Sequence, residues 1–154
     1  EVFCDLASVA EQKEVELIQL EGDCIITGSY LLLYRAVYNL VENAIKYNHS
    51  GGKVTVNIHP SEEITDTSTS VNYVFLEVSD TGIGIPPEYQ EKIFAPFFRV
   101  DKSHSRAMGG AGLGLALVAE IARQHGGQVK VLASSEQGST IALVLPINSP
   151  LIEI

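Results

Sequence analysis

Three groups of residues have types and spacings that could do chemistry. Asn39, Asn43 and Lys46 stand at i, i+4 and i+7. At about 100° per residue such positions share one narrow stripe of a helix. An amide oxygen is a hard ligand suited to Mg²⁺, which takes few protein ligands and completes its shell with phosphate oxygens and water. A lysine beside it brings a point charge to phosphate. The second group is Asp80-Thr81-Gly82-Ile83-Gly84-Ile85-Pro86. Asp80 has the parity of Val74, Leu76 and Val78, which turns its carboxylate to the buried face of a strand, where it needs a donor. Such a carboxylate accepts from an exocyclic amine and favours adenine over guanine, and the glycines after it let a backbone approach a flat ligand. The third group is Gly109-Gly110-Ala111-Gly112-Leu113-Gly114-Leu115, running into a helical pattern. Glycines at a helix N-terminus offer backbone N–H groups to an anion. No Lys-Ser/Thr follows them, which excludes a Walker A loop, and neither the spacing nor a leading strand matches a dinucleotide turn. Taken singly, the three also fit a solvated helix face, a turn-capping Asp and a flexible hinge.

The elements that must position these residues follow from periodicity. Residues Cys4 to Lys13 read as a short helix and Glu14 to Leu20 as a strand. After the turn at Gly22-Asp23, Cys24 to Thr27 reads as another strand. Ser29 caps a long helix from Tyr30 to Tyr47, stopped by Asn48-His49-Ser50-Gly51-Gly52. Its apolar stripe, Leu33, Val37, Leu40, Val41 and Ala44, lies beside the Asn39–Lys46 stripe. The helix can therefore pack on a sheet and still turn an amide-rich edge outward. Strands are expected at Lys53–His59 and Val71–Asp80, joined by a polar connection from Ser61 to Ser70. Pro86-Pro87 opens a short helix to Ile93. Phe94 to Ala111 reads as a long loop, the kind that serves as a lid. A helix from Gly112 to His125 and strands at Gln128–Ala133 and Ser139–Leu145 complete the chain. The mixture predicts one α/β domain over residues 1–154: a two-layer sandwich, with a mixed sheet covered on one face by helices.

Composition bounds the partners. The 154 residues are 45% apolar and carry 19 acids against 10 bases, a net charge of -9. That balance argues against nucleic acid as a ligand, because such binding depends on neutralising phosphates with Lys and Arg. No apolar run reaches the length of a membrane helix, and no basic-then-apolar signal opens the chain, so a cytoplasmic domain without direct membrane contact is expected. Two cysteines, Cys4 and Cys24, do not make a disulfide framework. Between Lys53 and Lys92 there are seven acids and no Lys or Arg. Lys92, Arg99, Lys102 and Arg106 then fall close together, a small positive segment suited to a compact anion or simply a solvated loop.

In order and spacing, these groups resemble the ATP-binding domain of sensor histidine kinases. The family's N, G1, F and G2 boxes look like Asn39-Leu40-Val41-Glu42-Asn43-Ala44-Ile45-Lys46-Tyr47, Asp80–Gly84, Phe94-Ala95-Pro96-Phe97-Phe98-Arg99 and Gly110–Leu115, and Gly138-Ser139-Thr140 looks like its last box. The resemblance runs from about Ser29 to Pro146. It implies a Bergerat-type α/β sandwich with a mobile lid, holding ATP and Mg²⁺. By the same resemblance Asn43 would coordinate Mg²⁺ with Asn39 close by, Lys46 would approach the phosphates, and Tyr47 would wall the pocket. Asp80 would take the adenine amine, helped by Thr140 through water, and Gly82 and Gly84 would shape the slot beside Ile85. Gly110, Gly112, Leu113, Gly114 and Leu115 would hold the phosphates, and Arg106 would meet the transferring phosphoryl group.

The resemblance also implies what the domain serves. ATP hydrolases of this fold, such as gyrase and MutL, carry Glu where Asn39 stands, and an amide is no base near neutral pH. Transfer to a protein acceptor is expected in place of hydrolysis, and Glu42, which points to the other side of the helix, is not expected to substitute. An acceptor His in this family is usually followed by an acid, whereas His49-Ser50, His59-Pro60, His104-Ser105 and His125-Gly126 are not. The acceptor is therefore expected on a separate helical dimerisation domain of a longer kinase, which passes the phosphoryl group to a response regulator. The domain is expected in the cytoplasm whether or not that kinase is membrane-anchored.

Overall fold

The computed structural model describes residues 1–64, 70–98 and 114–147. Among these residues three helices, α1 (Val2–Lys13), α2 (Tyr30–Lys46) and α3 (Gly114–Gln124), accompany five strands. The strands are β1 (Glu16–Gln19), β2 (Lys53–Ile64), β3 (Ser70–Asp80), β4 (Gln128–Ser135) and β5 (Gly138–Pro146). They form one sheet in the order β1-β2-β3-β5-β4. β1 runs parallel to β2 and every other pair is antiparallel, so the sheet is mixed.

Strand alternation decides which face is covered. Val54, Val56, Val74, Val78, Ile141, Leu143 and Leu145 are buried on one face with Leu40, Val41, Ile45, Val118 and Ile121 of α2 and α3 and Leu6 of α1. Each fully buried Leu, Ile or Val contributes about 1.5–3 kcal/mol, enough to fix the register of strands whose side chains alternate. Ser29 begins α2 as expected, its hydroxyl accepting from Leu32 N at 3.3 Å. The helices and sheet make the two-layer α/β sandwich that the sequence predicts.

Several local expectations change. No strand forms at Cys24–Thr27. The alternation there is real, since Cys24 and Ile26 pack against the core while Ile25 is 93% exposed, but no neighbouring strand pairs with it. The polar connection after His59 is shorter than expected, because Ser61 to Ile64 continue β2 in register with Ser70 to Tyr73 of β3. Pro86–Ile93 is not an α-helix but two 3-10 turns, Pro87–Tyr89 and Lys92–Phe94. Neither turn buries a residue fully, although Ile93 and Phe94 pack partly against the core.

Candidate functional site

The C-terminal half of α2 presents Asn39, Asn43 and Lys46, each half-buried, beside the fully packed Leu40, Val41, Ala44 and Ile45. The helix thus anchors itself on the sheet while its amide stripe stays at the domain's edge. The start of α3 meets this stripe: a Cβ on Gly114 would lie 3.7 Å from Asn39 Oδ1. At the end of α2, Lys46 Nζ lies 5.7 Å from the centroid of the Tyr47 ring. Glu42 is engaged elsewhere. It accepts a hydrogen bond from the Tyr38 phenol, and burial together with that carboxylate raises the phenol's pKa above its usual value.

The end of β3 meets the end of α2. Ile83 N donates to the Tyr47 carbonyl at 3.3 Å. A Cβ on Gly82 would stand 2.3 Å from the same oxygen, so only glycine permits this approach. Gly84 has φ +76°, and a Cβ there would lie 1.9 Å from the Ser135 carbonyl oxygen. On that side Ile85 N donates to Ser134 Oγ at 2.7 Å, and Gln90 Nε2 donates to Ile85 O at 3.1 Å. The Asp80–Ile85 turn is therefore held between Tyr47 on one flank and the β4–β5 hairpin on the other.

Within that turn the Asp80 carboxylate accepts three hydrogen bonds. Gly82 N and Ser139 N reach Oδ1 at 2.9 and 3.3 Å, and Ser139 Oγ reaches Oδ2 at 3.1 Å. Burial pushes the carboxyl above its ordinary range, and the bonds from Gly82 and Ser139 offset only part of that effect. The outcome is an oriented acceptor at the end of the central strand whose ionised form is held by two neighbours.

Thr140 does not belong to this cluster. Asp80 lies opposite Ser139 in the β3–β5 register, and Thr140 lies opposite Ser79. Its Oγ1 is 2.8 Å from Ser79 Oγ, on the sheet face away from the helices. The side chain that reaches Asp80 is Ser139, 7% exposed, which was not among the expected site residues. The signal for it was in the sequence: Ser139 shares parity with Ile141, Leu143 and Leu145, as Asp80 does with Val78. Leu115 and Ile85 pack partly buried against the core. Arg106, Gly110, Gly112 and Leu113 lie outside the described residues.

Residues 28–149 match the sequence model of the family described as histidine kinase-, DNA gyrase B- and HSP90-like ATPases, and the chain belongs to that family. It is 37% identical over 149 residues to the sensor histidine kinase RppB of Synechocystis sp., an alignment covering 97% of this chain and 31% of that protein. The mycobacterial sensor histidine kinase MprB superposes with a TM-score of 0.74 at 30% identity, over 94% of this chain and 91% of that one. Full-length ShkA in complex with AMPPNP superposes with a TM-score of 0.74 at 25% identity, over 96% of this chain and 29% of that one. The chain thus spans less than a third of the curated relative's length, and the part it matches is the ATP-binding catalytic domain of sensor histidine kinases. Among the described residues no helix is long and apolar enough to cross a membrane.

Proposed function

We propose that this domain binds Mg-ATP and passes its γ-phosphoryl group to a histidine on a separate helical dimerisation domain, in a two-component pathway ending at a response regulator. The observation that carries the proposal is Asp80, a carboxylate oriented by Gly82 and Ser139 at the point where the Asn39–Lys46 helix ends. Asp80 accepts the exocyclic amine of adenine, with Ser139 holding the carboxylate for that bond. Gly82 and Gly84 bring backbone against the base beside Ile85, and Tyr47 closes one wall. Lys46 draws the phosphates to the α2 edge, and Gly110, Gly112, Leu113 and Gly114 wrap them from the lid. Arg106 neutralises charge on the phosphoryl group in transit. Transfer of this kind depends on positioning and charge stabilisation, which such residues supply.

The donor set fits Mg²⁺. Among the described residues no group of three His, Cys, Asp or Glu could cage a metal, so a cation here would rest on the Asn43 amide oxygen plus phosphate and water, as Mg²⁺ does at nucleotide sites. Bound there, Mg²⁺ would neutralise phosphate charge during transfer.

Asn39 sets the outcome of the reaction. Its amide cannot take a proton from water, and Glu42 on the same helix is bonded to Tyr38. The domain therefore delivers phosphoryl to a protein and hydrolyses ATP poorly. It works at the cytoplasmic side of the cell as part of a longer kinase, either on its own acceptor helix or on that of a partner protomer. Incubating the domain with Mg-ATP labelled at the γ position and an intact acceptor domain tests this. Acid-labile label on the acceptor histidine is expected, and binding of ATP without any transfer would reduce the domain to a nucleotide-binding interaction module.

A further inference from the structure

Asn48 stands two residues beyond Lys46, the last of the helical stripe, and is only 6% exposed. An amide buried to this extent must satisfy its oxygen and its nitrogen, and Asn48 does so by tying three segments together. Its Nδ2 donates to the Lys53 carbonyl at 2.9 Å, at the start of β2. Its Oδ1 accepts from His49 N at 2.9 Å and from the Thr81 hydroxyl at 3.1 Å. The Thr81 hydroxyl in turn accepts from Lys53 N at 2.9 Å. Asn48, Lys53 and Thr81 therefore close a ring of hydrogen bonds between the end of α2, the start of β2 and the end of β3. The fit is tight, since a Cβ on Gly52 would lie 2.0 Å from Asn48 Oδ1.

Thr81 stands between the Asp80 carboxylate and Gly82, the backbone donor that bonds that carboxylate. Ser139 fixes the carboxylate from the β5 side. The backbone of the turn is held by Thr81 N, which donates to the Lys53 carbonyl at 3.2 Å, and by Ile83 N on the Tyr47 carbonyl; Asn48 holds the Thr81 hydroxyl from the α2 side. We propose that Asn48 and Thr81 form a positioning clip: through the turn at Asp80–Gly82 they set the direction of the Asp80 carboxylate, and so the preference of the site for a base with an exocyclic amine. The clip rests on the assignment of Asp80 to adenine and touches no nucleotide itself. A side chain that aims an acceptor alters discrimination between bases, whereas one that only holds the fold alters stability or all affinities together.

The test compares Mg-ATP with Mg-ITP, whose base carries a carbonyl in place of the amine, by calorimetric titration of the wild-type chain, Thr81→Val and Thr81→Ser. Valine keeps the shape and removes the hydroxyl; serine keeps the hydroxyl. Wild type is expected to favour ATP by about tenfold or more, and Thr81→Val to shrink that ratio about fivefold, the effect of one hydrogen bond. Thr81→Ser should restore it. If Thr81→Val does not fold, Asn48→Ala carries the test, because it removes the acceptor for the Thr81 hydroxyl and should shrink the ratio likewise. A Thr81→Val or Asn48→Ala chain that weakens ATP and ITP equally, or that melts earlier with the ratio intact, overturns the clip. A wild type that binds both nucleotides equally overturns the adenine assignment instead.

Discussion

Ser139 donates both its backbone N–H and its hydroxyl to Asp80, one to each carboxylate oxygen. The pair faces the helices from adjacent strands, at the open end of the sheet, and Gly82 N completes the set. Two strands thus cooperate to present one acceptor, and the hairpin that brings Ser139 also seats Ile85 through Ser134.

Burial makes the ionised Asp80 costly to the fold even though it is bonded. Its native pKa lies above the ordinary carboxyl value. The folded state therefore holds this proton more tightly than the unfolded state, and stability from this group falls as pH rises from the ordinary value through the raised one. Asp80→Asn removes the titration while its side-chain oxygen can still accept from Gly82 N. Urea melts from pH 4 to pH 8 should find Asp80→Asn as stable as wild type or more stable near neutrality, with the difference shrinking as pH falls. A variant less stable than wild type at pH 8 and equal to it at pH 4 would contradict this.

Glu42 lies beside the Tyr38 phenol and helps raise its pKa, and under the proposed function Glu42 has no part in activating water. Glu42→Gln should leave the slow release of phosphate from Mg-ATP unchanged within about twofold, since one lost catalytic base would lower it at least 100-fold on the usual scale. Steady-state phosphate release measured on both chains decides the matter, and loss of hydrolysis in Glu42→Gln would assign the carboxylate a catalytic role.

Two glycines with similar backbone angles separate conformational strain from contact. Gly51 has φ +84° and open space around its Cβ direction, and Gly84 has φ +76° with the Ser135 carbonyl oxygen 1.9 Å away. Gly51→Ala should cost about 1 kcal/mol, the penalty for a left-handed alanine. Gly84→Ala must in addition move the β4 end from the Asp80–Ile85 turn, and should cost about 2–4 kcal/mol. Equal midpoints for the two variants in urea would show that the hairpin yields freely.

Much of this was legible in the sequence because the relevant patterns are local. The helical spacing of Asn39, Asn43 and Lys46 and the cap at Ser29 follow from 3.6-residue periodicity. The burial of Asp80 follows from alternation along one strand. What was not legible depended on pairing between distant segments. Parity puts Ser139 on the covered face of β5, but only the register of β5 on β3 sets it opposite Asp80. Cys24–Thr27 alternates like a strand, yet among the described residues no strand pairs with it, a fact that no single segment contains. His125 shows in the sequence only as a histidine with no acid after it. In the fold its Nε2 accepts from Ser29 N at 3.1 Å while Nδ1 lies 2.8 Å from Ile121 O, which joins the end of α3 to the start of α2. The Asn48–Thr81 bond likewise spans 33 positions of sequence.

The most direct measurement is a calorimetric titration of the chain and of Asp80→Asn with Mg-ATP and Mg-GTP. Wild type should bind Mg-ATP with a dissociation constant on the order of micromolar, or about −8 kcal/mol, and bind Mg-GTP far more weakly. Asp80→Asn, folded and as stable as wild type, should lose the ATP signal. Equal binding of ATP and GTP, or undiminished ATP binding by Asp80→Asn, would contradict the assignment of Asp80 to the adenine amine.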